Sequence, residues 1–275
     1  MDAPTYSAAD VAPLLQGADW GQLILIGGQS LNTWQSRYAK SHPHILTVGP
    51  SASPDLDFVG SYKAAESFAK AAGATEAPLA APMSETVHVA TVTVTVGDRP
   101  VSVDFIRYVK GVADDVLRRH TVDLTSPDGS GTIRLIDPIA CLLSRLANIN
   151  GLGRHDLHPV GQAKLALELA NIYIDDLLNQ QATKLAQNYL LEIEGITKQW
   201  HIGKYTHVEL GVVIDPPVIQ ASYLDDERLD ARWRAKVLTR SIERSQRKML
   251  SFEKRYSERM TRQAHIQTPH ERLVV

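Results

Sequence analysis

The sequence predicts an α/β domain over residues 1–134, followed by an all-helical domain over 135–275 that ends in a long basic helix. Two observations point there. Short β-branched runs alternate with short helical stretches as far as Ile136, and beyond it strand signal nearly vanishes. A change of hydrophobic rhythm near Gly129 to Ile136 marks the passage from one regime to the other.

The strand readings follow in order. Leu23-Ile24-Leu25-Ile26 is a short apolar run, and Asp55-Leu56-Asp57-Phe58-Val59 alternates polar with apolar. From Val87 to Val96 the alternation is nearly strict, and Gly97-Asp98-Arg99-Pro100 turns the chain into a partner strand from Val101 to Tyr108. Thr132 to Ile136 closes the series. Between these runs Ser30 to Lys40 and Ala64 to Ala72 read as helices.

In the second half, Asp137-Pro138 supplies an N-cap and a proline at the first helical position, opening a helix through Cys141, Leu142, Arg145, Leu146 and Ile149. Gly151-Leu152-Gly153 ends it. Further helices are expected from Pro159 to Leu178, from Ala182 to Trp200 and from Asp226 to Arg262, separated by Gly203 and by Asp215-Pro216-Pro217.

Composition narrows the class. With 275 residues, 44% apolar and 22% charged, the chain has the make-up of a soluble globular protein. No run approaches the length of a membrane span, and Met1 to Asp10 lacks the basic start and apolar block of a secretory signal, so a cytoplasmic protein without membrane association is expected. A single cysteine, Cys141, excludes an internal disulfide and a thiolate metal cluster. The net charge of -2 conceals a segregation: Arg228 to Arg262 holds twelve Lys or Arg against four acids, while the remainder holds 17 against 27. Such a basic end invites an anionic partner.

Three features of the first half belong together chemically. The strand Leu23 to Ile26 runs into Gly27-Gly28-Gln29-Ser30 and then a helix, so glycines bring the backbone close to a ligand at a helix N-terminus that favours anions. Asp55 and Asp57, two apart on a strand, project from one face, and neighbouring like charges call for a cation between them. Asp104 lies within the apolar strand Val101 to Ile106, where an unpaired carboxylate is costly.

An apolar strand, Gly-Gly-x-Ser, a helix, Asp-x-Asp and a later strand with one Asp together resemble the nucleotidyltransferase superfamily of DNA polymerase beta. Gly27-Gly28-Gln29-Ser30, Ser53-Pro54-Asp55-Leu56-Asp57-Phe58 and Val103-Asp104-Phe105 are most similar to the abortive-infection (type IV toxin) nucleotidyltransferases and their uncharacterised bacterial relatives. The resemblance covers roughly residues 20–180 and includes Ile136-Asp137-Pro138 with Ser144-Arg145-Leu146-Ala147-Asn148. It implies a mixed sheet, with Asp55, Asp57 and Asp104 binding two magnesium ions and Asp104 favouring loss of a proton from the acceptor hydroxyl. Gly27, Gly28, Gln29 and Ser30 would hold the phosphates of a nucleoside triphosphate such as ATP.

The activity implied is magnesium-dependent nucleotidyl transfer to an acceptor hydroxyl, with RNA or tRNA reached through the basic helix and a cognate antitoxin as partner. An antibiotic-modifying nucleotidyltransferase and a non-catalytic nucleotide-binding protein are the alternatives. Two departures stand out. Gln29 to Pro54 spans 26 residues, a longer gap than the family's, and an Arg-Asp-x-x-Asp pattern is replaced by Arg154-His155-Asp156-Leu157-His158.

Other residues have plainer readings. His42 and His44 flank a proline with no fitting third ligand, Cys141 belongs to the core, and Trp34 with Tyr38 are packing residues. Arg37, Lys63, Arg107 and Lys110 lie close enough in sequence to the motifs to neutralise a triphosphate.

Overall fold

A seven-stranded mixed sheet forms around the two runs that carry the aspartates. The computed structural model describes residues 5–50, 52–82, 87–125, 131–152, 157–198 and 216–267. Its strands are β1 (Tyr6–Ser7), β2 (Ile24–Ile26), β3 (Ala52–Ser53), β4 (Asp55–Val59), β5 (Leu79–Ala80), β6 (His88–Val96), β7 (Arg99–Ile106), β8 (Thr121–Thr125) and β9 (Thr132–Ile136). β1 and β3 pair separately, and the large sheet runs β5-β6-β7-β4-β2-β9-β8. β4 lies parallel to β7 and antiparallel to β2, which is itself parallel to β9. The turn around Gly129 lies outside the described residues.

Period-two alternation assigns the two faces. On β4, Leu56 and Phe58 are buried while Asp55 and Asp57 are half-buried; on β7, Val103 and Phe105 are buried while Asp104 is half-buried. Helix α4 (Tyr62–Ala71), capped by Ser61 Oγ accepting from the Ala64 N–H, covers the apolar face. Its Phe68 stands 5.4 Å from Phe58 and 5.7 Å from Phe105, and Phe58 lies 5.6 Å from Phe105. Burying each ring contributes about 1.5–3 kcal/mol, so this cluster fixes which face the aspartates must take.

Helix α1 (Ala8–Gln16) is opened by a reciprocal cap between Ser7 and Asp10, and α2 (Gly27–Tyr38) follows β2 directly. Trp34 donates its indole N–H to the Ile136 carbonyl at 2.8 Å and stacks on Tyr38, so both are packing residues as expected. The long gap before β3 is a built element: α3 (Ile45–Val48) buries Ile45, whose carbonyl accepts from Gln35 Nε2.

After α5 (Asp114–Arg119) and the β8–β9 pair, α6 (Pro138–Leu152) is capped by Asp137, which accepts the Ala140 N–H at 2.9 Å and pairs with fully buried His120. Cys141 is buried in α6, and burial pushes its thiol up to about 12. α7 (Leu157–Asn179) completes the first compact unit, residues 1–173; the second comprises 174–275. Among the described residues the last strand ends at Ile136, but α6 and most of α7 belong to the strand-bearing unit. The compact boundary therefore falls later than the change of rhythm near residue 134.

In the second unit the described elements are α8 (Thr183–Lys198), α9 (Pro216–Ala221), α10 (Ala231–Trp233), a π-helical turn (Arg234–Leu238) and α11 (Thr239–Gln267). Gly203 and Asp215, expected to separate helices, lie outside the described residues. Asp230 accepts the Trp233 N–H, so the long helix starts there and not at Asp226. Leu238, Ile242, Ser245, Met249 and Phe252 are buried along one stripe, and Tyr256 is half-buried.

Within the basic stretch, Arg244 is tied to a buried acid. Its guanidinium grips Glu194 through two bonds of 2.7 and 2.9 Å, beside Ser241 Oγ at 2.6 Å and Lys198 Nζ at 3.0 Å. Burial alone would raise the Glu194 carboxyl, but bonds from Arg244, Ser241 and Lys198 outweigh it and hold it at about 2. A depressed carboxyl stabilises the fold above its unfolded value, and that stability disappears as pH falls through the folded value. Glu194→Gln is expected to lower stability by about 1.5–3 kcal/mol in urea unfolding at neutral pH. The gap between parent and variant should close as pH drops from about 5 toward 2.

Candidate metal centre and its cleft

The parallel register of β4 and β7 sets Asp57 directly opposite Asp104, and Asp55 shares their face two residues away. One carboxylate oxygen from each of Asp55, Asp57 and Asp104 lies within 4.8 Å of the others, the one such His/Cys/Asp/Glu group among the described residues. The expected convergence of these three side chains is present. Oxygen-only carboxylate donors suit a hard divalent cation. Ser53 Oγ donates to Asp55 Oδ1 at 3.0 Å, and Thr91 Oγ1 donates to Asp104 Oδ1 at 2.7 Å. His88 Nε2 stands 3.3 Å from the same Asp104 oxygen.

The glycine turn is shaped by its nearness to these carboxylates. Gly27 has φ +70, and a Cβ there would lie 2.0 Å from Asp57 Oδ2. At Gly28 a Cβ would lie 2.3 Å from Ser53 Oγ. Gly27 therefore lets the start of α2 pack onto the aspartate strand, and Gly28 lets it pack onto Ser53 of β3. Ile26 gives no side-chain cap, and both glycines line the cleft, so the helix offers it N–H groups and a positive end.

The structure moves two of the expected phosphate ligands. Gln29 is fully buried and donates to the Tyr6 carbonyl at 2.9 Å; Ser30 is fully buried and donates to the Ile136 carbonyl at 3.2 Å. Neither lines the cleft. The helical period explains this: from a first turn at the cleft, the third and fourth residues rotate toward the sheet and α6. Ser53, two residues before Asp55, is the serine placed beside the three aspartates.

The cleft has a volume of about 520 Å³ and a chemically mixed lining. Asp55, Asp57 and Asp104 contribute carboxylates to it, while Lys110, Arg145 and His158 contribute cationic or protonatable groups. Arg145 Nη1 donates to Gln162 Oε1 at 2.8 Å, which aligns α6 with α7 beside Gly28. Of the four bases near the motifs, Lys110 alone lines the cleft. Arg37 lines a separate cavity of about 230 Å³, and Lys63 and Arg107 are exposed. Arg154, His155 and Asp156 lie outside the described residues.

Sequence reading missed Thr91 and His88 because they sit in a run that reads as regular strand. It passed over Gln162 because nothing in a helical pattern distinguishes it. Compared with protein-family models, curated proteins and solved structures, the chain matches none. No helix among the described residues is long and apolar enough to cross a membrane.

Gly27→Ala should separate packing from backbone preference when compared with Gly73→Ala. Gly73 has a similar φ of +67 but nothing within 4 Å of its would-be Cβ. Alanine at Gly73 is expected to cost about 1 kcal/mol of left-handed strain. At Gly27 it should cost at least about 1 kcal/mol more, because Asp57 must move. Thermal unfolding compares the two, and weakened Mn2+ binding should accompany the Gly27 variant alone.

Proposed function

We propose that this chain is a metal-dependent nucleotidyltransferase of the DNA polymerase beta type, transferring a nucleotidyl group from a nucleoside triphosphate to an acceptor hydroxyl. The observation that carries the reading is the convergence of Asp55, Asp57 and Asp104 within 4.8 Å in a cleft also lined by Lys110, Arg145 and the uncapped start of α2. A magnesium–triphosphate needs both kinds of lining, carboxylates for the cation and positive groups for the phosphates.

Asp55, Asp57 and Asp104 would hold magnesium, which when bound draws charge from the phosphoryl oxygens and lowers the barrier to in-line displacement. The Gly27 and Gly28 N–H groups, with the positive end of α2, would orient the phosphate chain. Lys110 and Arg145 would offset the charge of the departing pyrophosphate. Asp104 would draw the proton from the acceptor hydroxyl as its oxygen bonds to the α-phosphorus and the bond to pyrophosphate breaks.

Incubation with labelled nucleoside triphosphates and magnesium, in the presence of total RNA, should yield labelled acceptor and released pyrophosphate. Asp55→Asn, Asp57→Asn and Asp104→Asn should each lower transfer by orders of magnitude while leaving the fold intact, since charge is removed at nearly constant volume. Transfer undiminished in all three variants would end the reading.

Support for a polyanionic acceptor comes from α11. Arg240, Arg247, Lys254, Arg255 and Arg262 are exposed and fall within one broad side of the helix, away from the buried stripe. If RNA is the acceptor, its binding should weaken steeply with salt as counterions are released. Arg247→Glu with Lys254→Glu should weaken RNA binding and spare triphosphate affinity. Arg244 is left unchanged there because its ion pair with Glu194 supports the fold.

A further inference from the structure

We propose that Thr91 and His88 are positioning residues that fix the carboxylate of Asp104 at the metal centre; the inference rests on the metal-dependent reading above. β6 and β7 are antiparallel, with Thr91 directly opposite Asp104 and Ala90 opposite Phe105. Strict alternation would place His88, three residues before Thr91, on the other face of the sheet. The register instead shifts between His88 and Ala90, so that His88 pairs with Ile106 and Val89 is the extra residue. The bulge restores His88 to the face of Thr91 and Asp104.

The resulting contacts form a triangle. Thr91 Oγ1 donates its single proton to Asp104 Oδ1 at 2.7 Å. His88 Nε2 lies 3.3 Å from that oxygen and 3.2 Å from Thr91 Oγ1. Because the threonine proton is committed to Asp104, His88 Nε2 is the donor in its contact with Thr91. Both groups therefore converge on Oδ1 and leave Oδ2 available to a cation.

Two features suit this arrangement to holding a ligand. The terminal torsion of an aspartate is broad, so an unanchored carboxylate samples orientations that present neither oxygen correctly. A threonine hydroxyl restricts that torsion without a formal charge, and the attraction between Asp104 and a cation is preserved, whereas a lysine in its place would compete with the cation. Partners of this kind orient metal ligands, and removing one commonly lowers metal affinity by about 10–100-fold.

The experiment is Mn2+ binding to the full chain without nucleotide, followed by electron paramagnetic resonance, together with a kcat against KM comparison in the transfer assay. Thr91→Val keeps the branched strand shape but loses the hydroxyl, and should weaken Mn2+ binding about 10–100-fold. It should lower kcat with little change in the KM for triphosphate. Thr91→Ser, which returns the hydroxyl, should restore both. His88→Leu should weaken Mn2+ binding, and His88→Gln, which keeps a nitrogen donor, should restore most of it.

If the parent binds Mn2+ and Thr91→Val binds it equally well, the positioning role of Thr91 is overturned while the metal reading stands. Equal binding by His88→Leu overturns the role of His88 in the same way. Failure of Thr91→Ser to rescue would mean that the hydroxyl is not what Asp104 requires. A parent that binds no Mn2+ overturns both the inference and the reading beneath it.

Discussion

Three carboxylates held within 4.8 Å of one another are the constraint around which the first unit is arranged. At an effective dielectric of about 20, two unit charges at that distance repel by roughly 3–4 kcal/mol. The β4–β7 register enforces this approach, because Asp57 and Asp104 face each other across a parallel ladder that carries Leu56, Phe58, Val103 and Phe105 into the core. Turning the aspartates away would turn those apolar side chains outward, since a one-residue slip exchanges the two faces. The hydrophobic cluster under α4 thereby supplies the free energy that keeps like charges together.

The surroundings offset the repulsion without removing the charge. Ser53 and Thr91 give each outer carboxylate a neutral hydroxyl donor, and the start of α2 brings its positive end against Asp57. Gly27 permits that approach because a methyl group in its place would overlap Asp57. The glycine pair is thus explained first by close packing, Gly27 against Asp57 and Gly28 against Ser53. Presentation of N–H groups to the cleft follows from the same geometry, since a backbone close enough to touch Asp57 is also close enough to reach a ligand bound beside it.

How much of this was legible depended on whether a residue's role is written in local pattern. Alternation in β4 placed Asp55 and Asp57 on one face, because side-chain direction in a strand depends only on parity; Asp104 was joined to them by the family resemblance, and the β4–β7 register accounts for it. The cap at Asp137, the packing of Trp34 and the apolar stripe of α11 were equally readable from spacing. β8, with Thr121 to Thr125, was missed although it alternates, as was α1, whose Ser7–Asp10 cap has a sequence signature. Gln29 and Ser30 were misplaced because motif spacing does not say where a helix has rotated by its third residue. His88 was invisible for a different reason. A bulge changes parity within an otherwise regular run, and only the pairing of β6 with β7 locates it.

The second unit shows the same limit in its electrostatics. Counting charge along Arg228 to Arg262 treats each base as equivalent, yet Arg244 is committed to Glu194 and Arg228 to Asp226 and Asp175. Glu194 is nearly fully buried, and a buried carboxylate recruits whichever bases come within reach, because an unpaired charge there is costly. Arg240, Arg247, Lys254 and Arg262 are exposed, turned outward by the buried stripe. The basic surface is therefore shaped by the acids that pair with it, Glu194, Asp226 and Asp175, and not by the charge count alone.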